Sequence, residues 1–297
     1  MTKRATPAVA DKGRAKQEGD TFDLWHARLG HPGRKVLATM GKGNYGFVIP
    51  KDELANREGY EVRAQWERAP VRPCSLIGVT KAEEVMDVVS SDICGPSRPS
   101  EWGHRYVLTF RDHATKRTWV YLLKNKSEVL EHFKKLHRQM KAEQRKILKV
   151  FLSDNGGEYK NGAMEAYFKA EGIQHVFACP YTPQQNGVSE RVNRTLMEKA
   201  AAIRLAAGLP RECWSVCILA ACYLLNRTVD ARGITPYQAW YKQKPVIAHP
   251  RAIVATPYAH QDESQRGKMD AKAAKGILVG YGEDHLPSTR FWSQRGS

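Results

Sequence analysis

Apolar and polar positions change their spacing several times along the chain, and each change marks a predicted element. Val85 to Ser91 reads as a strand that ends ahead of Gly95-Pro96. Tyr106 to Phe110 and Thr118 to Leu123 are two further apolar runs. The polar stretch Arg111 to Arg117 between them gives the pattern of a hairpin. Ser127 stands where a helix cap is expected, and Val129, Phe133, Leu136 and Met140 then recur at helical spacing. Ile147 to Leu152 predicts a fourth strand, stopped by the turn signal Asp154-Asn155-Gly156-Gly157. A helix is expected over Ala163 to Ala170 and a short strand over Ile173 to Phe177. Pro180 and Pro183 break the chain before a long helix, Val188 to Ala207, and a largely apolar one, Glu212 to Asn226. Gly276 to Tyr281 reads as one more strand. Three strands, helix, strand, helix, strand and two helices predict a mixed α/β sheet with helices packed on its faces.

The regular region spans about 84–230. Before it, residues 1–20 are polar and irregular, expected to be a disordered tail, and 21–80 form a small unit opening with LWHARLGHPG. After it, 231–297 is less regular. The length of 297 residues suits about two domains, and a hydrophobic content of 42% suffices for a sizeable core. The longest apolar run, Val216 to Leu225, is too short to span a bilayer, which takes roughly 18 residues. The N-terminus has no apolar segment of the kind a secretory signal needs. Six cysteines make no disulfide framework, so reduced thiols are expected. Cys213, Cys217 and Cys222 share the apolar helix with Trp214, Ile218 and Leu225, where free cysteine packs as a small hydrophobe.

Charge changes the picture. Lys and Arg number 47 against 31 Asp and Glu, a formal net charge of +16. Such an excess favours a polyanion, because basic groups on phosphates release condensed counterions. The densest stretch, Lys124 to Lys149, also fits a solvated helix face.

Three acids sit where catalytic groups often sit. Asp92 lies at the end of the first strand in SSDICGP, Asp154 follows the fourth in LSDNGGEY, and Glu190 lies in the first turn of the long helix in YTPQQNGVSERVNRT. Thirty-five residues separate Asp154 from Glu190. Hard divalent cations take oxygen ligands, and two of them can activate an attacking oxygen and stabilise a leaving one. Without a cation, two carboxylates about 4 Å apart repel by about 4 kcal/mol at an effective dielectric of 20. Each acid alone also fits turn or helix-end chemistry. On the long helix, Val192, Leu196, Ala200, Ile203 and Ala207 form an apolar stripe, while Glu190, Arg194, Met197, Ala201 and Arg204 line another face.

These motifs resemble the integrase region of Copia-type LTR retrotransposon polyproteins. SDICGP, SDNGGEY and PYTPQQNGVSERVNRTL carry the likeness, joined by WVYLLKNKSEV, YLLNR, TPYQAWYKQKP and KAAKGILVGY, over about residues 22–285. The resemblance implies an RNase H-like catalytic core in which Asp92, Asp154 and Glu190 form a D,D-35-E triad that binds magnesium or manganese. It implies 3′ processing of element cDNA and its strand transfer into double-stranded target DNA, by a homo-oligomer, in the nucleus with a cytoplasmic particle stage. Lys160, Asn186, Arg191, Arg194 and Arg204 are then expected DNA contacts. The region 231–297 would be the start of a longer C-terminal part.

The small unit resembles the family's pre-integrase zinc module, with His26, His31 and Cys74 as three ligands of an incomplete zinc site. Val71 stands where the first Cys of a C-x2-C pair is expected. His113 follows Asp112 where the family often has a second Asp. The missing Cys, this departure and the chain's end in the C-terminal region also fit a second reading, an inactive relic that holds DNA by charge alone.

Overall fold

The computed structural model describes residues 22–43, 45–49, 82–95, 97–178, 183–245 and 247, and four short strands beyond 257, with side chains of 183–189 and of those strands outside the description. Two short helices come first, α1 (Phe22–Arg28) and α2 (Arg34–Lys42). A five-stranded sheet follows, built from β1 (Val88–Cys94), β2 (Tyr106–Asp112), β3 (Thr118–Leu123), β4 (Val150–Ser153) and β5 (Gln174–Phe177). Helices α3 (Val129–Gln144), α4 (Gly162–Glu171), α5 (Pro183–Ala206), α6 (Trp214–Arg227) and α7 (Pro236–Tyr241) surround it. Two two-stranded ribbons end the described chain, β6 (Tyr258–His260) with β7 (Ala273–Lys275), and β8 (Ile277–Gly280) with β9 (Arg290–Trp292).

The sheet order is β3-β2-β1-β4-β5. β1, β2 and β3 run antiparallel to one another, while β4 and β5 lie parallel to β1. This is the RNase H-like arrangement, as the resemblance implied. One face is covered by α3 and α4, whose Phe133, Leu136, Met140, Met164 and Phe168 pack on Phe110 and Phe151 of the sheet. The other face carries α5 and α6, with Val192, Leu196, Ile203 and Leu224 in one cluster with Val107. The predicted stripe of α5 is therefore its buried side. Cys213, Cys217 and Cys222 are buried free thiols in this cluster. Burial pushes the Cys213 and Cys217 thiols up to about 12, so they stay protonated and pack as apolar groups.

The N-terminal helices dock on the second face. Gly30 takes a φ of +67°, and a β-carbon there would lie 2.8 Å from Leu224 Cδ1. The Lys199 ammonium of α5 donates to the Gly30 carbonyl at 3.3 Å. Trp25, Leu29, Leu37 and Phe47 share a core with Val229 and Ile247.

Several expected boundaries move: β4 begins at Val150 rather than Ile147, β2 runs on to Asp112, and α6 begins at Trp214 rather than Glu212. The first strand begins at Val88 rather than Val85, because Met86 has a left-handed φ of 68° and the Asp87 carboxylate accepts from the Glu83 and Glu84 amides. Asp92 therefore sits inside β1, two residues before its end. The long helix begins at Pro183 rather than Val188, a residue well suited to a first turn. Glu190 is therefore two turns into α5, not in its first. The Ser127 cap is replaced by a 3-10 turn, Lys126–Glu128, closed by a capping box between Asn125 and Glu128.

Candidate active site

Strand register brings the first two acids together. β1 and β4 are parallel, with Ser90 paired to Leu152. Two residues further along each strand stand Asp92 and Asp154. They emerge abreast at one edge of the sheet, from neighbouring strands about 4.8 Å apart. Asp154 opens the loop after β4, and its Oδ1 accepts from the Gly156 amide at 3.1 Å. Glu190 reaches the same edge from α5, which packs across β1 and β2 on the second face. Its side chain is exposed, whereas Asp92 and Asp154 are half-buried.

The electrostatics show two of the acids acting on the third. Burial pushes the Asp92 carboxyl up from its ordinary 3.8 to about 6, and the charges of Asp154 and Glu190 add to the rise. Two hydrogen bonds oppose it. The Ile93 amide donates to Oδ1 at 2.9 Å, and Asn193 Nδ2 donates to Oδ2 at 2.8 Å. Asn193 lies one helical turn beyond Glu190, so the same helix face that carries the third acid also grips the first. It is only 8% exposed, and its Oδ1 is buried without a hydrogen-bond partner.

Asn193 is the residue that reading for charge passes over. The signal lies in its spacing, three positions after Glu190, which places both on one face. Lys126, inside the basic stretch already noted in the sequence, is a second residue of this site. Its ammonium pairs with Glu158 at 2.7 Å and feels the charge of Asp154. Below the acids, Ser91 and the buried Tyr159 share a hydrogen bond of 2.6 Å, which ties β1 to the loop after β4.

The other expected site residues fall into three groups. Lys160, Arg191 and Arg194 are exposed. Arg204 is turned to the end of its own helix, where Nη1 donates to the Leu209 carbonyl at 3.1 Å. The side chain of Asn186, and Cys74 with Val71, lie outside the described residues. His26 and His31 are brought together, with ring centroids 4.8 Å apart.

All oxygen donors of the acid cluster are hard, the set that magnesium or manganese takes. Among the described residues, no three His, Cys, Asp or Glu side chains stand close enough to hold an ion as they are placed. Both Asp92 oxygens are engaged by N–H donors instead.

Residues 82–183 match the family model described as the integrase core domain. Over 281 residues the chain is 34% identical to the retrovirus-related Pol polyprotein from transposon TNT 1-94 of Nicotiana tabacum, across 94% of this chain and 21% of that polyprotein. It is 30% identical over 293 residues to the corresponding polyprotein of transposon RE1 from Arabidopsis thaliana, across 93% of this chain and 19% of the relative. The chain thus spans about a fifth of the length of the curated relatives it matches. Among solved structures, the catalytic core domain of BIV integrase is 20% identical with a TM-score of 0.41, over 53% of this chain and 95% of that one.

Proposed function

With an integrase core domain at residues 82–183, and a sequence related along most of its length to one segment of Copia-type retrotransposon Pol polyproteins, we propose that the chain is a metal-dependent polynucleotidyl transferase that processes 3′ ends of element DNA and joins them to target DNA. The observation that carries this reading is that Asp92, raised chiefly by burial, is raised further by the charges of Asp154 and Glu190.

What supports a pair of divalent cations is the donor chemistry rather than a formed cage: Asp154 and Glu190 both act on the charge of Asp92, burial holds Asp92 against ionisation, and a buried amide oxygen of Asn193 has no partner. Asp92, Asp154 and Glu190 would hold the ions, which supply charge neutralisation and Lewis acidity at the phosphate. The chain's own groups do the positioning. β1 and β4 fix two acids through backbone pairing, and α5 sets the third at a distance fixed by core packing. Asn193 orients the Asp92 carboxylate through Nδ2. Lys160, Arg191 and Arg194 would meet DNA phosphates as exposed cations.

Incubation with magnesium and duplex oligonucleotides ending in the element's terminal sequence tests this reading. Shortened 3′ ends and joined products are expected, and neither in EDTA. Nicking without joining would point to a plain nuclease instead. Asn193→Ala is expected to lower the joining rate about 10–100-fold, the usual scale for a group that orients a metal ligand. Single-turnover rates at saturating DNA measure it, and an unchanged rate would remove Asn193 from the site.

A further inference from the structure

Lys126 lies three residues past the end of β3, at the edge where β1 and β4 also end. Its backbone is fixed, because the 3-10 turn that carries it is closed by the Asn125–Glu128 capping box, with the Asn125 amide donating to Glu128 at 2.7 Å. Its ammonium is held from the opposite side by Glu158, four residues after Asp154. Glu158 is folded back on its own loop, so that a β-carbon on Gly156 would lie 2.7 Å from its carboxyl carbon. The Glu158 side chain is 10% exposed, whereas that of Lys126 is 45% exposed. The carboxylate is thus covered, and the cation faces solvent beside the acids.

An ion pair with so exposed a partner contributes little net stability. It is readily exchanged. A phosphodiester next to the scissile position would offer the ammonium an equivalent anion, and would itself need a cation there, since the acids of the site repel it. We infer that Lys126 is a seat for a DNA backbone phosphate, parked on Glu158 until DNA arrives. The inference rests on the DNA-joining function proposed above and names one contact within it.

Anisotropy of a short labelled DNA duplex, titrated with the full chain in EDTA over a series of potassium chloride concentrations, tests it. Each phosphate contact contributes about −0.9 to the slope of log affinity against log salt. Lys126→Gln is expected to make the slope shallower by about that amount, and Lys126→Arg to restore it. Glu158→Gln is expected to tighten binding several-fold, and most of that gain is expected to vanish when Lys126 is also Gln. Thermal melts of each variant should match the wild type, and Lys126→Glu gives a second probe of the same charge. A wild-type slope retained in both Lys126→Gln and Lys126→Glu overturns the inference, as does a Glu158→Gln gain that persists in full without Lys126. If the wild type shows no salt-dependent DNA binding, the proposed function falls and the inference with it.

Discussion

Asp92→Asn is expected to abolish joining and yet make the cation-free protein more stable. The activity should fall at least about a thousandfold, because the proposed function gives this carboxylate to the metal on which the joining depends. The stability gain follows from the same carboxylate. Its folded value of about 6 lies above its ordinary 3.8. A carboxyl raised on folding costs stability once it is ionised in both states, and costs nothing when protonated in both. A carboxyl that titrates one pH unit higher in the folded chain costs about 1.4 kcal/mol when ionised. The variant should therefore gain about 2–3 kcal/mol above pH about 6, less on the way down, and nothing below pH about 4. The neutral side chain is also well received. Its oxygen can keep the Ile93 amide, and its NH2 can face Asn193, whose unpartnered Oδ1 can turn to accept from it. Thermal melts in EDTA at pH 4 and pH 7.5 measure the effect. A variant no more stable than wild type at pH 7.5 would contradict the electrostatic account of Asp92.

Asp112→Ala is expected to cost about 3–5 kcal/mol, the scale for stripping a buried acceptor from several donors. Asp112 is fully buried at the other edge of the sheet. Its Oδ1 accepts from the Met86 amide at 2.9 Å, and its Oδ2 from the Thr115 amide at 2.8 Å and the Thr115 hydroxyl at 2.6 Å. One carboxylate thus closes the β2–β3 turn and holds the left-handed Met86 at the entry to β1. Three buried donors would lose their partner at once. Urea unfolding followed by circular dichroism measures the loss, and a change under about 1 kcal/mol would contradict the assigned network. Asp112→Asn, which keeps one acceptor, should fall between.

This network adjoins a departure seen in the sequence. His113 stands where the resemblance expects a second Asp. The side chain is buried, and burial with the charges of Lys116 and Arg111 pushes it down to about 4, so it is neutral at ordinary pH. It belongs to the packed turn, far along the strands from Asp92, and its change leaves the acid cluster intact.

Much of the architecture is legible in spacing. The third strand has the predicted bounds, and α4 starts after Asn161 and ends at Gly172 in the left-handed region, within a residue or two of expectation. Local turn chemistry is strong at these places. The beginning of β1 is not legible, because Val85 and Met86 look like strand while the Asp87 carboxylate holds a turn that only three-dimensional contacts reveal. The start of α5 is ambiguous for a different reason. Pro183 fits the end of a break, yet proline is equally at home in a first turn.

Of the candidate site, the three acids are conspicuous in the sequence because their residue type and context are specific. Asn193 and Lys126 are not, because their importance depends on neighbours remote in sequence. Asn193 meets Asp92 across 101 positions, and Lys126 meets Glu158 across 32. Arg204, expected at DNA from its place on the helix face, also closes the helix end through its guanidinium.

The central claim is that Asp92, Asp154 and Glu190 together form one binding site for divalent cations. Titration of the full chain with manganese, followed by calorimetry and by the paramagnetic resonance of free ion, tests it without requiring catalysis. The wild type should bind with an affinity that collapses in Asp92→Asn and weakens strongly in Asp154→Asn and Glu190→Gln, while the fold persists. Manganese bound equally well by the wild type and all three variants would contradict the account.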